Sequence, residues 1–475
     1  MFQRLFLFLL PVLLYSCASY QQQAAAYYSE VKEGDYSKAD RLLEKNRLLR
    51  KKRNETLYLL EKGKLCHLRQ QWDSSNTYFN LADARMEDAR TSVGDVAAGT
   101  LLNPMMQQYR PEAFERYLVH YYKSLNYLRL GLADEALVEA RRITLTTQAQ
   151  DDKVGNRDKY AEDAFSLMLQ GIIYEKSNDI NNAFIAYRNA VNAYLADKGK
   201  YGTALPAQLQ QDLLRLAEAN GFRDEKEFYE KQFNTVYTPS PVSEGGELIL
   251  FWENGAAPVK AQEDIFFTAV KGDGDDLFFR DSRGIYNIPF DNRSSYRSNA
   301  KLEDLRSFRV ALPRYETQPP VYSGATLNAN GATFTFALAE NINELAFVTL
   351  RERMLRELSG TLTRLAIRKL AEAAARPPDR KDDKNKTEEQ KKKEKKKDNQ
   401  REAIALGMQL FSLAAEKADT RNWQSLPHSI YYTRIPLQKG DNKLELTLQG
   451  NRTRTITMNV TGSGGLVVRN ICTID

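Results

Sequence analysis

Three short segments carry the residues whose types could form a ligand site. They are LFWENGAAPVK at 250–260, ALPRY at 311–315 and DTRNWQSLP at 419–427. Each places charged or amide side chains beside an aromatic residue or a proline, the mixture that orients a polar ligand against an apolar wall. The residues predicted to form this candidate ligand rim are Trp252, Glu253, Asn254, Arg314, Arg421 and Trp423.

An architectural role is the alternative for the same segments. Polar side chains at strand ends can hydrogen bond to nearby backbone groups and so close a β-rich region without contacting a ligand. The two hypotheses differ in where the side chains lie. A ligand rim requires Glu253, Arg314, Arg421 and Trp423 to converge on one open pocket, whereas an architectural role buries or scatters them.

No recognisable catalytic motif accompanies these segments. The glycine-flanked serine at 461–465 does not fit the G-x-S-x-G nucleophile elbow. Neither H-E-x-x-H nor the phosphate-binding G-x-x-x-x-G-K occurs. His67, His120 and His428 are far apart in the sequence and lack metal-ligand spacing. We therefore expect a protein that is not an enzyme, with no catalytic residues, no metal and no cofactor; a hydrolase is the alternative.

Cys17 has the clearest chemistry of any residue in the chain. Arg4 precedes an apolar stretch at 5–14, and the small Ser16 comes directly before Cys17. This pattern resembles the lipobox of bacterial lipoproteins, in which the signal peptide, here 1–16, is removed and the cysteine is acylated. Several buried acyl chains hold a protein firmly on a membrane.

The two other interpretations of the apolar N-terminus fit less well. About ten apolar residues are too few to cross a ~30 Å hydrocarbon core as a helix. A plain secretory cleavage site would have a small residue where Leu14 stands. Residue 18 is Ala and not Asp, which under the enterobacterial sorting rule favours an outer-membrane lipoprotein facing the periplasm. Exposure on the cell surface stays an alternative.

The charge distribution argues against nucleic acid as a partner. The formal net charge is +6, but the segment 376–401 alone contains twelve Lys or Arg and seven Asp or Glu. The rest of the chain is therefore close to neutral and has no predicted basic face. Of the remaining cysteines, Cys66 and Cys472 would lie in different predicted domains, and we favour two free thiols over a disulfide.

The first half of the chain repeats a helix-pair pattern. Large and small apolar residues alternate at the spacing of two antiparallel helices, as in tetratricopeptide repeats. Helix pairs of this type are predicted near 23–48, 59–82, 124–140 and 167–190, followed by a helical cap at 206–234. The predicted packing positions are Gly171, Tyr174, Ala183, Tyr187 and Ala190, with Tyr127 and Ala136 in the preceding pair.

From residue 244 the pattern changes to short β-rich runs separated by turn signals. Strands are predicted at 247–252, 264–270, 284–290, 307–312, 332–338, 429–436, 443–448, 453–460 and 466–470. The fold class predicted from these features is α+β and multidomain: a tetratricopeptide-like solenoid followed by an antiparallel sandwich or barrel. The expected boundaries are a tether at 17–22, a helical domain at 23–240 and a β-rich domain at 244–475.

A helical hairpin is expected within the β-rich domain. An apolar stripe predicts a long helix at 341–375, and a second helix is predicted at 400–417. The charged segment 376–401 between them is expected to be a disordered, solvated loop, because it cannot bury enough apolar surface to fold.

The E-N-G-x-A-P-V-K and N-W-Q-S-L-P stretches, with the repeat HYYKSLNYLRLGLADEALVEARR, carry a family resemblance. Together they resemble a poorly characterised family of bacterial outer-membrane lipoproteins with tetratricopeptide repeats and a C-terminal β-rich domain. The resemblance covers most of the chain and implies a role in envelope assembly. It implies no catalytic residues.

The function predicted from these features is that of a membrane-anchored periplasmic scaffold. Its partners would be the membrane, through the lipid on Cys17, and other envelope proteins, held as extended peptides or helices on the concave face of the repeats. Peptidoglycan stays an alternative partner, bound by the β-domain loops. Because the first repeat helix is predicted near Gln23, the repeats should begin close to the membrane and the β-rich domain should project away from it.

Overall fold

The computed structural model describes residues 20–91, 104–154, 163–239, 243–271, 277–290, 308–375, 397 and 417–474. Within them the fold is mixed, with helices in the N-terminal half and sheets in the C-terminal half. Cys17 with its preceding apolar stretch, the predicted helix at 400–417 and nearly all of the charged segment lie outside the described residues.

The helices follow one another as antiparallel pairs with short connections. Their bounds are α1 Tyr20–Glu33, α2 Tyr36–Lys45, α3 Glu55–Leu68, α4 Trp72–Thr91, α5 Ala113–Leu130, α6 Ala133–Val154, α7 Ala164–Lys176, α8 Ile180–Asp197, α9 Ala207–Asn220 and α10 Arg223–Phe233. These pairs coincide with the five predicted helical regions. The first described helix begins at Tyr20, three residues before the predicted start at Gln23.

Local sequence explains where the pairs turn. Asp35, Asp163 and Asp179 cap α2, α7 and α8, because each side chain accepts a hydrogen bond from a backbone N–H in the first turn. Gly131 ends α5 in the left-handed conformation, which glycine adopts without strain.

Close packing within a pair depends on a glycine, which has no side chain to hold the helices apart. On α7, Gly171 lies against the ring of Tyr187 on α8, and a Cβ added at Gly171 would lie 2.3 Å from Tyr187 Cδ1. Ala183 and Ala190 are also buried on α8. Tyr127 and Tyr174 are half-buried at the edges of their pairs, and Ala136 is buried on α6.

Helices α3, α5 and α7, the inner helices, are buried on nearly every side. Their partners α4, α6 and α8, the outer helices, keep large apolar side chains such as Leu81, Val138, Leu145 and Leu195 exposed. An amphipathic helix at the surface would bury one stripe only. The inner helices therefore have a second layer against them.

The described strands form three four-stranded sheets. Their bounds are β1 Glu247–Asn254, β2 Val259–Lys271, β3 Leu277–Asp281, β4 Asn287–Phe290, β5 Phe308–Glu316, β6 Tyr322–Ala329, β7 Ala332–Thr335, β8 Ala337–Asn341, β9 Ser429–Pro436, β10 Gly440–Gly450, β11 Arg454–Gly462 and β12 Leu466–Thr473. The strand orders are β12-β1-β9-β8 in the first sheet, β11-β10-β6-β7 in the second and β4-β3-β2-β5 in the third.

The expectation of a purely antiparallel region is wrong for one pair. β1 and β12 run parallel, from Glu247 opposite Leu466 to Asn254 opposite Thr473. Parallel neighbours need a long crossover connection, and here nearly the whole β-rich region separates the two strands. The sequence also misses β3 and β6, which fall between its predicted strands.

The first sheet supplies the layer that covers the inner helices. Successive residues of β1 point to opposite faces. Phe251 packs edge-on against Tyr121 of α5 and Phe165 of α7, with ring centroids 5.7 and 5.8 Å apart. Leu250 and Trp252 point the other way, into a core shared with the second sheet. The predicted division into helical and β-rich domains therefore runs through one continuous packed interior.

The long helix α11, Ile342–Ala375, confirms the amphipathic stripe predicted at 341–375. Leu358, Leu362 and Leu365 lie against the third sheet, where they share a core with Phe267 and Val310. The helix thus covers the face of a sheet that would otherwise expose its apolar side.

Helix α1 contacts the β-rich region directly. Gln21 Nε2 donates a 2.7 Å hydrogen bond to the carbonyl oxygen of Lys260 on β2, and Lys32 Nζ donates to Gln318. The β-rich region therefore lies against the first described helix. Residues four positions after Cys17 already touch it.

We expect Gly171→Ala to destabilise the protein by about 1–3 kcal/mol, because the added methyl group overlaps the Tyr187 ring. In an unobstructed helix interior the same change stabilises by roughly 0.5–1 kcal/mol. Gly324→Ala, in strand β6, is the control for an added methyl group that meets no neighbour, since its Cβ would lie more than 4 Å from any other heavy atom. Urea unfolding measures both, and equal stabilities for wild type and Gly171→Ala would contradict the packing argument.

Candidate functional site

The centre of the interface between helices and first sheet is a buried ion pair. Lys64 on α3 and Glu253 on β1 have side chains that are 0% exposed, and Lys64 Nζ lies 2.6 Å from Glu253 Oε2. The hydroxyls of Tyr121 and Tyr122 donate to the same carboxylate at 3.1 and 2.8 Å. Asn470 Nδ2 on β12 donates to it at 2.7 Å. Helices α3 and α5 and strand β12 thus all contact Glu253.

The environment keeps Glu253 ionised. Burial by itself would raise the pKa of this carboxyl, but the adjacent Lys64 ammonium, with the Asn470 hydrogen bond, lowers the pKa to about 2. Lys64 Nζ also lies 2.7 Å from the Tyr122 hydroxyl. A charged pair with this many donors compensates for the hydration that both ions lose.

A chain of polar side chains runs from this pair along the helices. Asn470 Nδ2 lies 2.9 Å from His67 Nε2, and His67 Nδ1 lies 2.6 Å from Asn126 Oδ1. Burial and the Lys64 charge lower the pKa of His67 to about 4, so the imidazole is neutral near pH 7. The consistent assignment is that Nδ1–H donates to Asn126 while Nε2 accepts from Asn470. Asn126 Nδ2 in turn donates to Ser75 Oγ at 2.8 Å.

The N-W-Q-S-L-P segment is held by carboxylates on the inner helices. The backbone N–H of Trp423 donates to Glu115 Oε1 at 2.8 Å, and the N–H of Gln424 donates to Glu61 Oε1 at 3.2 Å. The Trp423 ring is fully buried, 5.8 Å from Phe79 between centroids. This segment therefore fills space between helices and does not face solvent.

Glu61 is a buried carboxyl without a cationic partner among its described contacts. Tyr27 and Tyr28 on α1 donate to it at 3.0 and 2.6 Å. Burial raises its pKa to about 7 even though hydrogen bonds from Ser425, the two tyrosines and the Gln424 backbone oppose the rise. Glu61 thus links α1, α3 and the loop before β9.

Arg421 is buried and bound to other protein groups. Its Nε lies 2.8 Å from Asp419 Oδ1, and its Nη1 lies 2.7 Å from Asn54 Oδ1 and 3.0 Å from the Gln107 carbonyl oxygen. The planar guanidinium with several fixed donors suits this role. Arg421 joins the loop before β9 to the segments before α3 and α5.

The predicted ligand rim needs correction at most of its positions. Trp252, Glu253, Asn254 and Trp423 are buried and make the contacts of a packed interior, so they do not form an open rim. Arg314 is exposed and pairs with Glu316 at 2.6 Å. The architectural alternative therefore describes these side chains better, because their polar atoms hydrogen bond to protein groups.

The three segments nevertheless converge on one cavity. This junction cavity, about 440 Å³, lies between the segment before α5, strands β2 and β5, helix α11 and the loop before β9. The segment 250–260 contributes Lys260, the segment 311–315 contributes Leu312 and Pro313, and the segment 419–427 contributes Arg421. Sequence reasoning selected the right segments and, except for Arg421, the wrong side chains.

Three charged side chains that line the junction cavity form a triad. Glu112, which caps α5, accepts from Lys260 Nζ at 2.7 Å and from Arg353 Nη1 at 2.5 Å. Burial would raise the pKa of Glu112, but Arg353 and Lys260 together lower it to about 2. One carboxylate is thus shared by two cations from different elements.

A second charged cluster joins the first sheet to the end of the helical array. Arg434 on β9 lies 2.8 Å from Glu175 on α7, 2.8 Å from Asp212 on α9 and 2.6 Å from Glu247 on β1. Burial would raise the pKa of Glu175, but Arg434 and Arg215 lower it to about 2.

Three of the buried charged residues that the sequence analysis did not select have one sequence feature in common. Lys64, Glu61 and Glu115 are ionisable residues that recur on helical faces otherwise rich in buried apolar side chains. Charged residues are rarely fully buried unless paired. A charge on the apolar face of a predicted helix therefore indicates a partner elsewhere in the chain, although it does not identify that partner.

Within the described ranges, no cluster of His, Cys, Asp and Glu has the arrangement of a metal site. Cys66 and Cys472 are both free thiols. None of the described helices combines the length and apolar character needed to cross a membrane.

We expect Lys64→Met to destabilise the protein by about 3–5 kcal/mol, because it leaves Glu253 buried without a counter-charge. The double variant with Glu253→Gln should recover a large part of this loss, since glutamine keeps an acceptor for the tyrosines and carries no charge. Urea unfolding of the single and double variants gives the coupling energy. Arg314→Met, at an exposed pair, is the control, and strictly additive losses for Lys64 and Glu253 would contradict the prediction.

The titration of the Glu61 carboxyl should make the folded protein less stable as pH rises. Its pKa is about 7 in the folded state and near 4.5 when unfolded, so its stabilising contribution is complete below pH 4.5 and is lost as pH rises through 7. Relative to Glu61→Gln, the wild type should lose roughly 3 kcal/mol between pH 4.5 and 8. Urea unfolding across this range measures the difference. Glu316→Gln, at an exposed carboxylate, is the control, and a pH-independent difference for Glu61→Gln would contradict the raised pKa.

Comparison with known proteins gives little further information. No protein-family model matches the chain, and no curated protein matches it significantly. Among solved structures, it is similar to the crystal structure of the apo form of RapI, with 11% identity and a TM-score of 0.33. The likeness covers 48% of this chain and 58% of that chain. A structural likeness with this TM-score and identity establishes neither a shared function nor a shared ligand.

Proposed function

We propose that the chain is a lipid-anchored lipoprotein of the bacterial outer membrane that faces the periplasm and binds other envelope proteins. In this proposal α1–α8 are tetratricopeptide-like repeats, and the first and second sheets form a sandwich against them. The protein is a scaffold and not an enzyme. The observation that carries the proposal is an apolar, acidic groove on the outer helices.

The inner face of the helices is unsuited to the binding mode expected from sequence. Tetratricopeptide proteins commonly present a concave surface to their partners, but here Phe251 of the first sheet and Trp423 of the loop before β9 pack against α5, one of the inner helices. The chain thus occupies with its own residues the place where a peptide would lie. A partner has to bind to the outer helices instead.

The outer groove lies between α4 and α6 and has a volume of about 350 Å³. Its lining residues are Asn80, Asp83, Ala84, Glu87, Tyr127, Glu135, Val138, Glu139 and Arg142. On α6, Val138 and Leu145 are 48% and 61% exposed and lie seven residues apart, which places them on one side of the helix. Exposed apolar side chains at this spacing favour contact with a partner helix.

The charge of the outer groove indicates the chemistry of its partner. Asp83 and Glu139 are partly neutralised by Lys123, at 3.4 and 2.8 Å, and Asp83 also pairs with Arg142. Glu87 and Glu135 add further negative charge at the lining. The groove therefore fits an amphipathic segment whose polar side carries Lys or Arg.

The decisive experiment is crosslinking in the native host, with purification of the lipidated protein from membranes. We expect one or more envelope proteins to be recovered at reproducible ratios. A Cys17→Ser form, which cannot be lipidated, is the control for partners that depend on the membrane. Repeated recovery of the protein alone at native abundance would contradict the scaffold proposal.

Variants of the outer groove test where the partner binds. We expect Val138→Asp, in the groove, and Leu145→Asp, two turns further along the same side of α6, to lose most of the crosslinked partner, because each puts a further negative charge on an apolar contact. Val236→Asp changes another exposed apolar residue, which does not line the groove, and should keep the partner. Stability should change by no more than about 0.5 kcal/mol in all three, as is usual at exposed positions. Unchanged crosslinking in the groove variants would place the partner elsewhere.

A further inference from the structure

We propose that the loop between α2 and α3 binds the anionic head groups of a lipid membrane. This basic loop, residues 45–53, has the sequence KNRLLRKKR and so contains six Lys or Arg and no Asp or Glu. The exposed members of this set are Lys45, Arg47, Arg50, Lys51 and Lys52. Clusters of about four to eight basic residues beside a membrane attachment point attract anionic lipids. The near-neutral charge of the chain outside 376–401 does not indicate this local surface.

The exposed cations of the basic loop are poorly matched by carboxylates. Four of them form no ion pair within the described part of the chain, namely Lys45, Arg47, Lys51 and Lys52. The fifth, Arg50, shares Glu44 with Lys62, at 3.5 and 2.7 Å. Glu55, the first acidic residue after the loop, pairs with Arg85 at 3.2 Å. The two carboxylates that flank the loop in sequence are therefore already in contact with other cations.

The basic loop has a fixed conformation that leaves its cations in solvent. Leu48 and Leu49 are buried and belong to the core of the helical array. Asn46 Oδ1 accepts from the backbone N–H groups of Leu48 and Leu49, both at 3.0 Å. Asn54 Nδ2 donates to the Leu48 carbonyl oxygen at 2.8 Å. Because the backbone is already ordered, binding to a charged surface does not have to order it.

The basic loop lies at the end of α1 that is closest to Cys17. Helices α1 and α2 are antiparallel, so the end of α2 is beside the start of α1. Asn46 Nδ2 donates a 3.0 Å hydrogen bond to the carbonyl oxygen of Gln23 near the start of α1. Tyr20, the first residue of α1, follows Cys17 by three positions, which span at most about 11 Å when extended. The chain has no Asp or Glu before Glu30, so this end of the helix carries no carboxylate of its own.

The position of the basic loop favours a membrane over nucleic acid as the partner. The inference rests on the proposed function for the place of the membrane, because there Cys17 carries the acyl chains. Acyl chains and a polybasic patch act together, the first by burial in the bilayer and the second by attraction to anionic lipids. The basic loop contains no aromatic residue, whereas proteins that bind single-stranded nucleic acid stack the bases on aromatic side chains. A second contact at the loop orients the helical array on the membrane surface.

The experiment uses the full-length mature chain with Cys17→Ser, so that no acyl chain contributes to binding. Co-sedimentation is measured with vesicles of phosphatidylglycerol and phosphatidylcholine, and with vesicles of phosphatidylcholine alone. The loop variant combines three changes at unpaired cations, Arg47→Gln, Lys51→Gln and Lys52→Gln. The matched control removes the same charge at exposed positions elsewhere, with Arg223→Gln, Lys231→Gln and Lys439→Gln. Both variants keep the charged segment 376–401, so binding through that segment is equal in the two.

We expect the parent chain to bind vesicles that contain phosphatidylglycerol and not vesicles of phosphatidylcholine alone. The loop variant should bind the anionic vesicles at least about tenfold more weakly than the matched control, because each Lys or Arg near an anionic surface adds to the attraction. Binding should also weaken when the salt concentration is raised from about 0.01 M to about 0.15 M, which shortens the Debye length from about 30 Å to about 8 Å.

Equal affinities of the loop variant and the matched control would overturn the proposal, as would binding that does not change with salt. Tighter binding of the parent chain to duplex DNA than to anionic vesicles, at the same phosphate concentration, would also overturn it. Lipidation of Cys17 is measured separately, by labelling with a fatty acid in the native host. Failure of that labelling would contradict the proposed anchor and leave the vesicle result unchanged, so the two proposals can fail independently.

Discussion

The fold depends on a single constraint: the Lys64–Glu253 pair has to form between a helix and a strand almost two hundred residues apart. Both ions are fully buried, so neither can remain charged at low cost unless the other is in place. The pair therefore favours one arrangement of the first sheet on the inner helices. Glu253 lies next to Trp252, whose ring enters the core on the opposite face of β1. A shift of one residue along β1 would bury the tryptophan face against the helices and displace the carboxylate from Lys64.

The same principle recurs across the interface. Glu61 and Glu115 accept from the backbone of the loop before β9, and Glu175 pairs with Arg434 of β9. In each case a carboxylate on a helix satisfies a group of the β-rich region, and a buried donor without an acceptor would cost about 1–3 kcal/mol. Apolar contacts alone would tolerate several orientations of a sheet on a helix layer. The directional hydrogen bonds and ion pairs reduce the number of possible orientations, which explains why the helical array and the β-rich region share one interior.

Local sequence pattern was sufficient for the helix pairs and for most of the strands, β3 and β6 excepted, and insufficient for their assembly. The helix pairs, the turn at Gly131 and the long helix α11 follow from periodicity and capping within some twenty residues. The parallel pairing of β1 with β12 does not follow from such patterns, because it joins strands from the two ends of the β-rich region. No short stretch of sequence indicates that these two strands are neighbours. The ligand rim was misjudged for a related reason. Glu253 and Arg421 are polar residues beside aromatic ones, and sequence alone does not distinguish a carboxylate that faces a ligand from one that faces a lysine on a distant helix.

Filling the inner face of the helices has a consequence for function. A helical array that covers its inner face with its own sheet is stabilised there and no longer offers that face to a partner. In the proposed function, recognition therefore uses the outer helices, where the acidic groove around Val138 lies. The contacts that fix the first sheet on the inner helices thus also determine which surface is left for a partner.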